Sequence, residues 1–180
     1  MVVSEGVIGM MRLSEALRVA LVWRGLGLVE VLGHSVFVGE VEGMNGNWLC
    51  VAEASDGDGL LVLGAVLPVE IGERNRICVV ELAMHLNVLL RYGHFGVRGD
   101  DGRVVFKLAV PVREVNEGAV QWISSVLNDH SVMVDIHIPV FRSVAEGELS
   151  VSEAVAKFFE GISEGDHLGL GQVFGWFGSN

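Results

Sequence analysis

The residues with the chemical means to act are six histidines, two cysteines and two close pairs of aspartates, Asp56 with Asp58 and Asp100 with Asp101. His130 and His137 fall on one face of a continuous helix. Seven residues rise about 10 Å along a helix axis, too far for both imidazoles to reach one zinc ion. The aspartate pairs lie among glycines without the spaced oxygen ligands and closing glutamate of a calcium loop, so they read as turn residues. Glu81 and His85 are one helical turn apart and form the one polar pair with acid–base potential, but a solvated i, i+4 contact accounts for them. Cys50 and Cys78 belong to no C-x-x-C motif and read as buried free thiols. The Gly169-Leu170-Gly171 run has the wrong spacing for a dinucleotide loop and no helix after it to receive a pyrophosphate. No G-x-S-x-G elbow or phosphate-binding G-x-x-x-x-G-K occurs. The expectation is a protein with no catalytic residues, no cofactor and no metal.

Charge and size narrow the partners. The net charge is −11 and the lysines are Lys107 and Lys157 alone, which argues against neutralising a phosphate backbone and hence against nucleic acid. Apolar residues make up 51%, yet no uninterrupted apolar run approaches the roughly 20 residues that span a bilayer. Met1 to Met11 contains Glu5 and lacks the basic and apolar regions of a secretory signal, so the expected location is the cytoplasm. A chain of 180 residues suits one domain. The boundaries expected are residues 1–164 for the domain and 165–180 for a Gly- and aromatic-rich tail that carries Phe174, Trp176 and Phe177.

The elements follow from periodicity. Leu13, Ala16, Leu17, Ala20 and Leu21 mark an amphipathic helix ending near Arg24-Gly25. Three strand-like runs follow, about 36–41, 48–54 and 60–67, separated by Met44-Asn45-Gly46 and the Ser55 to Gly59 turn. Both faces of the middle run are largely apolar, which predicts a central strand. A second helix, Ile77 to Leu90, is apolar over more of its circumference than one sheet can cover. Asn87 lies in its apolar arc and should be a hydrogen-bonded tether, Gly93 should stop the helix, and Asp101-Gly102 should turn a hairpin. A third helix starts at the N-cap Asn116. Pro139 should kink or break it beside Ile138, turning Phe141 and Val144 across the domain. Ser150 to Glu153 is a capping box opening a last helix through about Phe159.

Leu86-Asn87, Gly93-His94-Phe95, Asp101-Gly102 with Val104 and Phe106, and then Asp135, Pro139, Gly147, Ser150 and Glu153-Ala154 resemble the YbjN-like family from about Leu13 to Phe159. The resemblance implies a type III secretion chaperone-like fold and a sensory or regulatory role, and it carries no catalytic residue. It agrees with the fold class read from the elements: α+β, an antiparallel five-stranded sheet in α-β-β-β-α-β-β-α order plus a C-terminal helix. The function expected is a non-catalytic module that binds a partner polypeptide, chaperone-like or regulatory, with a small-ligand-sensing regulator as the alternative. Val80, Met84, Phe141 and Trp176 are the candidate partner or dimer surface, and a homodimer is expected.

Overall fold

The structure, a computed structural model, describes residues 11–31 and 34–164. The tail expected at 165–180, with Trp176, lies outside the described residues. Helix α1 (Leu13–Trp23) leads into strands β1 (Val29–Glu30), β2 (Val36–Glu42), β3 (Asn47–Ser55) and β4 (Leu60–Val66). Helix α2 (Arg76–Leu89) precedes the hairpin of β5 (His94–Val97) and β6 (Val104–Pro111), and α3 (Glu117–Ala145) and α4 (Val151–Glu164) complete the order. The strands form one antiparallel sheet in the order β1-β2-β3-β4-β6-β5. Among the described residues it has six strands rather than five. The additional one, β1, is a two-residue edge strand, too short for a period-2 pattern to show in the sequence.

Alternation decides which side of the sheet is filled. Phe37, Val41, Trp48, Cys50, Ala52, Leu61, Leu63, Ala65, Phe95, Phe106 and Leu108 point to one side and are all buried. Against them pack α1, through Leu13, Ala16, Leu17, Ala20 and Leu21, and α3, through Ile123, Leu127, Val134, Ile138 and Phe141. Helix α2 adds Val79, Leu82, Ala83 and Leu86 beside β5, and α4 closes the layer over α2 and α3.

Helix α3 runs unbroken through Pro139, so the expected break beside Ile138 does not occur. The reason lies four residues upstream. Proline has no N–H, which leaves the Asp135 carbonyl without its helical donor. Asn45, in the β2–β3 turn, supplies one: its Nδ2 donates to that carbonyl at 3.2 Å. The same turn is tied twice more, by the Asn45 backbone N–H to Asp135 Oδ1 at 2.9 Å and by Arg142 Nη2 to the Asn45 carbonyl at 3.3 Å. Gly43 must be glycine here, because a Cβ would collide with the Asp135 carboxylate and the Trp48 ring. The proline thus provides the acceptor by which a β-turn is fastened to the central helix.

A second long-range cap joins the sheet to α1. Asp56, in the β3–β4 turn, accepts from the Ser14 N–H at 2.9 Å and from Ser14 Oγ at 2.7 Å, satisfying the first turn of the helix. Burial alone would raise the Asp56 carboxyl, but the Ser14 hydrogen bonds and nearby Arg12 outweigh it and hold the group below its usual range.

Candidate functional site

Helices cover the buried side of the sheet. The opposite side presents Val36 and Val38 of β2, Leu49 and Val51 of β3, Val62, Gly64 and Val66 of β4, and Val105 and Ala109 of β6, all partly or fully exposed. Register brings them together: Val38 pairs with Val51, Leu49 with Val66, and Val66 with Val105. The face is therefore a largely apolar floor, with Glu40 and Glu42 at its β2 margin, interrupted by Glu53 between Val36 and Val62 and by Lys107 opposite Gly64. No helix among the described residues lies over it. Leu49, near its middle, is 46% exposed.

Helix α2 leaves a second apolar surface. Its buried residues recur on the side toward β5 and α3, whereas Ile77, Val80, Met84 and Val88 line the outer side at spacings of three and four and stay exposed. Val80 and Met84 are thus both on the surface, at 41% and 66% exposure. Phe141 is not. It is wholly buried, with its ring 4.9 Å from Phe95, because the unbroken α3 delivers it into the core rather than across the domain. It is corrected from surface to core residue. Trp176 lies outside the described residues.

The four positions expected to be structural show more varied roles. Asn87 is half-buried and pairs with the Phe95 backbone in both directions, Nδ2 donating to the carbonyl at 2.9 Å and Oδ1 accepting from the N–H at 2.7 Å. It ties α2 to the strand that follows. Gly93 is not the helix stop, since Leu90 has already turned extended with ψ 131°. Its φ of +74° and the Phe106 ring and Lys107 carbonyl beside it exclude any side chain, so it serves the close approach of the α2–β5 loop to β6. Gly102, at φ +70°, closes the β5–β6 loop with its N–H on the Arg98 carbonyl at 3.1 Å. Arg98 bridges Asp100 and Asp101 on the surface of that loop, at 3.0 and 3.2 Å.

The groups with chemical potential are dispersed. Glu81 and His85 are 3.9 Å apart on the exposed side of α2. Cys50 is buried, which pushes its thiol up to about 12 and leaves it unreactive, and Cys78 is a free thiol on α2. Among the described residues no three His, Cys, Asp or Glu side chains converge as a metal site.

His130 and His137 are buried in an aromatic cluster, a fact their spacing alone does not reveal. The Phe95 ring lies 4.7 Å from Phe106 and 4.8 Å from His137, His137 lies 4.5 Å from Phe158, and His130 is 5.5 Å from Phe106. His137 Nδ1 donates to the Met133 carbonyl at 2.7 Å. Burial lowers both imidazoles to about 4, so each is neutral at pH 7. His130 also lines a cavity of about 270 Å³ between α3 and the end of the sheet, together with Phe106, Leu108, Trp122, Val126 and Met133.

Comparison with known proteins places the chain in a family. A model of the YbjN family, described as "Putative bacterial sensory transduction regulator", matches residues 15–126. Among solved structures, YbjN from E. coli superposes with a TM-score of 0.48 at 14% identity, over 67% of this chain and 86% of that one. The ExsC–ExsE complex gives 0.45 at 14% identity, over 72% and 96% of the two chains. The HopA1–SchA chaperone–effector complex gives 0.42 at 11%, over 66% and 88%. No curated protein matches the sequence. With a family model covering more than half of its length, and with the helices and antiparallel strands in place, the chain belongs to the YbjN family.

Proposed function

We propose that this protein is a non-catalytic interaction module that holds a partner polypeptide, or a second copy of itself, on the bare face of its sheet and the outer side of α2. The observation that carries the reading is the apolar floor of Val38, Leu49, Val51, Val62, Val66 and Val105, which no helix covers among the described residues. Monomeric proteins rarely leave contiguous apolar patches beyond a few hundred Å² in water, and such patches commonly mark interaction sites. The Val80 and Met84 stripe supports self-association in the same way, and a homodimer is part of the proposal. The family description as a regulator supports a role in binding rather than turnover. The free thiols Cys50 and Cys78 support a reducing compartment such as the cytoplasm.

Affinity capture from native cell extract tests the reading when the wild type is compared with Leu49→Asp/Val66→Asp and with Val80→Asp/Met84→Asp. The wild type should retain one polypeptide in near-stoichiometric yield, and at least one double variant should lose it without a drop in melting temperature. Equal yields from all three proteins would contradict the proposal.

A further inference from the structure

Trp122 of α3 and Tyr92, just before β5, stay in water at 41% and 62% exposure. They line one cleft together with Phe106 and Leu108 of β6 and Val126 and Met133 of α3. The cleft is open to solvent along one side and mainly apolar, and Asp129 is the charged group at its rim. Exposed apolar surface of this kind marks a contact site, and its open side suits side chains that enter from a neighbouring segment.

The fold delivers one such segment. Helix α4 returns along α3 in the opposite direction, so that Phe158 meets His137 with ring centroids 4.5 Å apart. From Phe158 to Glu164 the helix advances about 9 Å, which brings its end level with His130 at the cleft. Helix α2 leads to the same place. It starts at the α3–α4 turn, where Asn75 Nδ2 donates to the Ala145 carbonyl at 2.8 Å, and it packs against α4 with the same length of 14 residues. Just past its far end stands Tyr92. The chain therefore leaves α4 beside the cleft and continues into residues 165–180, which carry Leu168, Leu170, Val173, Phe174, Trp176 and Phe177 but only one Asp, Glu, Lys or Arg, Asp166. The ten residues from Glu164 to Phe174 reach at most about 35 Å, enough to cross the cleft.

We propose that the segment Phe174 to Phe177 of the same chain folds back into this cleft and sets the Trp176 ring against Trp122. Aromatic rings pair favourably beyond the area they bury, and the low charge of the segment suits the apolar walls. A segment tethered beside its site acts at an effective concentration on the order of millimolar, so a weak contact is enough to fill it. Trp176 is thereby assigned to a contact within the chain and not to the partner surface. The cleft is on the helix side of the sheet, so its occupancy is independent of what the bare face binds.

The purified full chain is photo-crosslinked with p-benzoylphenylalanine in place of Trp122, which keeps a ring at that position. Mass spectrometry should map the adducts to Phe174, Trp176 or Phe177 of the same chain, at a yield that does not change on dilution. Phe174→Ser/Trp176→Ser/Phe177→Ser, which alters no described residue, should bring that yield to background. Val126→Asp, at the half-buried wall of the cleft, should do the same, and the triple substitution keeps the test decisive if Val126→Asp does not fold. In the chain with its natural Trp122, labelled with 5-fluorotryptophan, the triple substitution should shift the fluorine signal of Trp122 and leave that of Trp23, exposed on α1, in place. Adducts between chains, with a yield that falls on dilution, would assign the cleft to a second copy and overturn the proposal. It is also overturned if the adducts map elsewhere or are absent, or if the triple substitution leaves their yield or the Trp122 signal unchanged.

Discussion

The two faces of the sheet both carry apolar side chains and end in opposite states. On the inner face Trp48, Leu61, Leu63, Phe95 and Phe106 are buried under four helices, and the rings of Phe95, Phe106, Phe141 and Phe158 close around two neutral histidines. On the outer face Val38, Leu49, Val51, Val62 and Val66 are as apolar in character but smaller, and they remain in contact with water. Large aromatics on one side and β-branched side chains on the other mean that most of the burial energy, and the cavity-sensitive packing, belongs to the inner face. The outer face can therefore change with little effect on folding, as the proposed binding surface requires.

The largest expected contrast comes from truncation. Phe106→Ala should cost about 3 to 5 kcal/mol by chemical denaturation, because it empties a fully buried site between β5 and α3. Leu49→Asp, at a half-exposed outer position, should stay within about 1 kcal/mol of the wild type. Comparable losses for both would erase the distinction between the faces.

Acid sharpens the same contrast. The inner face holds His130 and His137 with pKa lowered to about 4, against an ordinary value of 6.5 that the unfolded chain restores. Below 6.5 the unfolded state takes up protons that the folded state refuses, so the stability is fully present above pH 6.5. It is lost as pH falls from there toward 4, by up to a few kcal/mol in all. Melting temperature measured across that window should fall steeply. In the double variant His130→Phe/His137→Phe the fall should flatten, leaving mainly the carboxylate losses below about pH 4, such as those of Asp56 and Glu153, which are ionised more readily in the fold.

Smaller effects are expected from the polar ties that align the layers. Asn45→Ala removes the donor to the Asp135 carbonyl and should cost about 1 to 2 kcal/mol. Pro139→Ala restores a helical N–H to that carbonyl, so it should change stability by less than about 1 kcal/mol rather than loosen the helix. Asn87→Leu should cost about 1 kcal/mol, since the Phe95 backbone loses both partners at a half-buried place. Denaturation midpoints for the three variants check the ranking, and a Pro139→Ala loss larger than that of Asn45→Ala would refute the role given to the proline.

Much of this was legible in the sequence, for definite reasons. The 3.6-residue spacing of Leu13 to Leu21 and the alternation from Trp48 to Ala54 specify a helix and a strand locally, and both lie where that spacing puts them. Asn116 was legible as an N-cap, accepting from the Gly118 N–H at 3.0 Å, and so was the Ser150–Glu153 capping box. What escaped depends on distant partners. Pro139 reads as a break until Asn45, far away in sequence, is seen to bond the carbonyl it releases. Asp56 reads as a turn residue until it caps α1. Two-residue β1 has no period to detect, and Gly93 answers to Phe106 rather than to the helix before it. That His130 Nε2 has no partner among the described residues follows from how α3 lies on β6, which no spacing encodes.

The bare face and the α2 stripe are together the proposed interface. Photo-crosslinking in the native cell tests it most directly, with p-benzoylphenylalanine placed in turn at Leu49, at Met84 and, as a control on the exposed α3–α4 turn, at Glu146. One defined adduct, with a partner polypeptide or with a second copy of the chain, is expected from Leu49 or Met84 and none from Glu146. No adduct from either apolar position, or an equal one from Glu146, would contradict it.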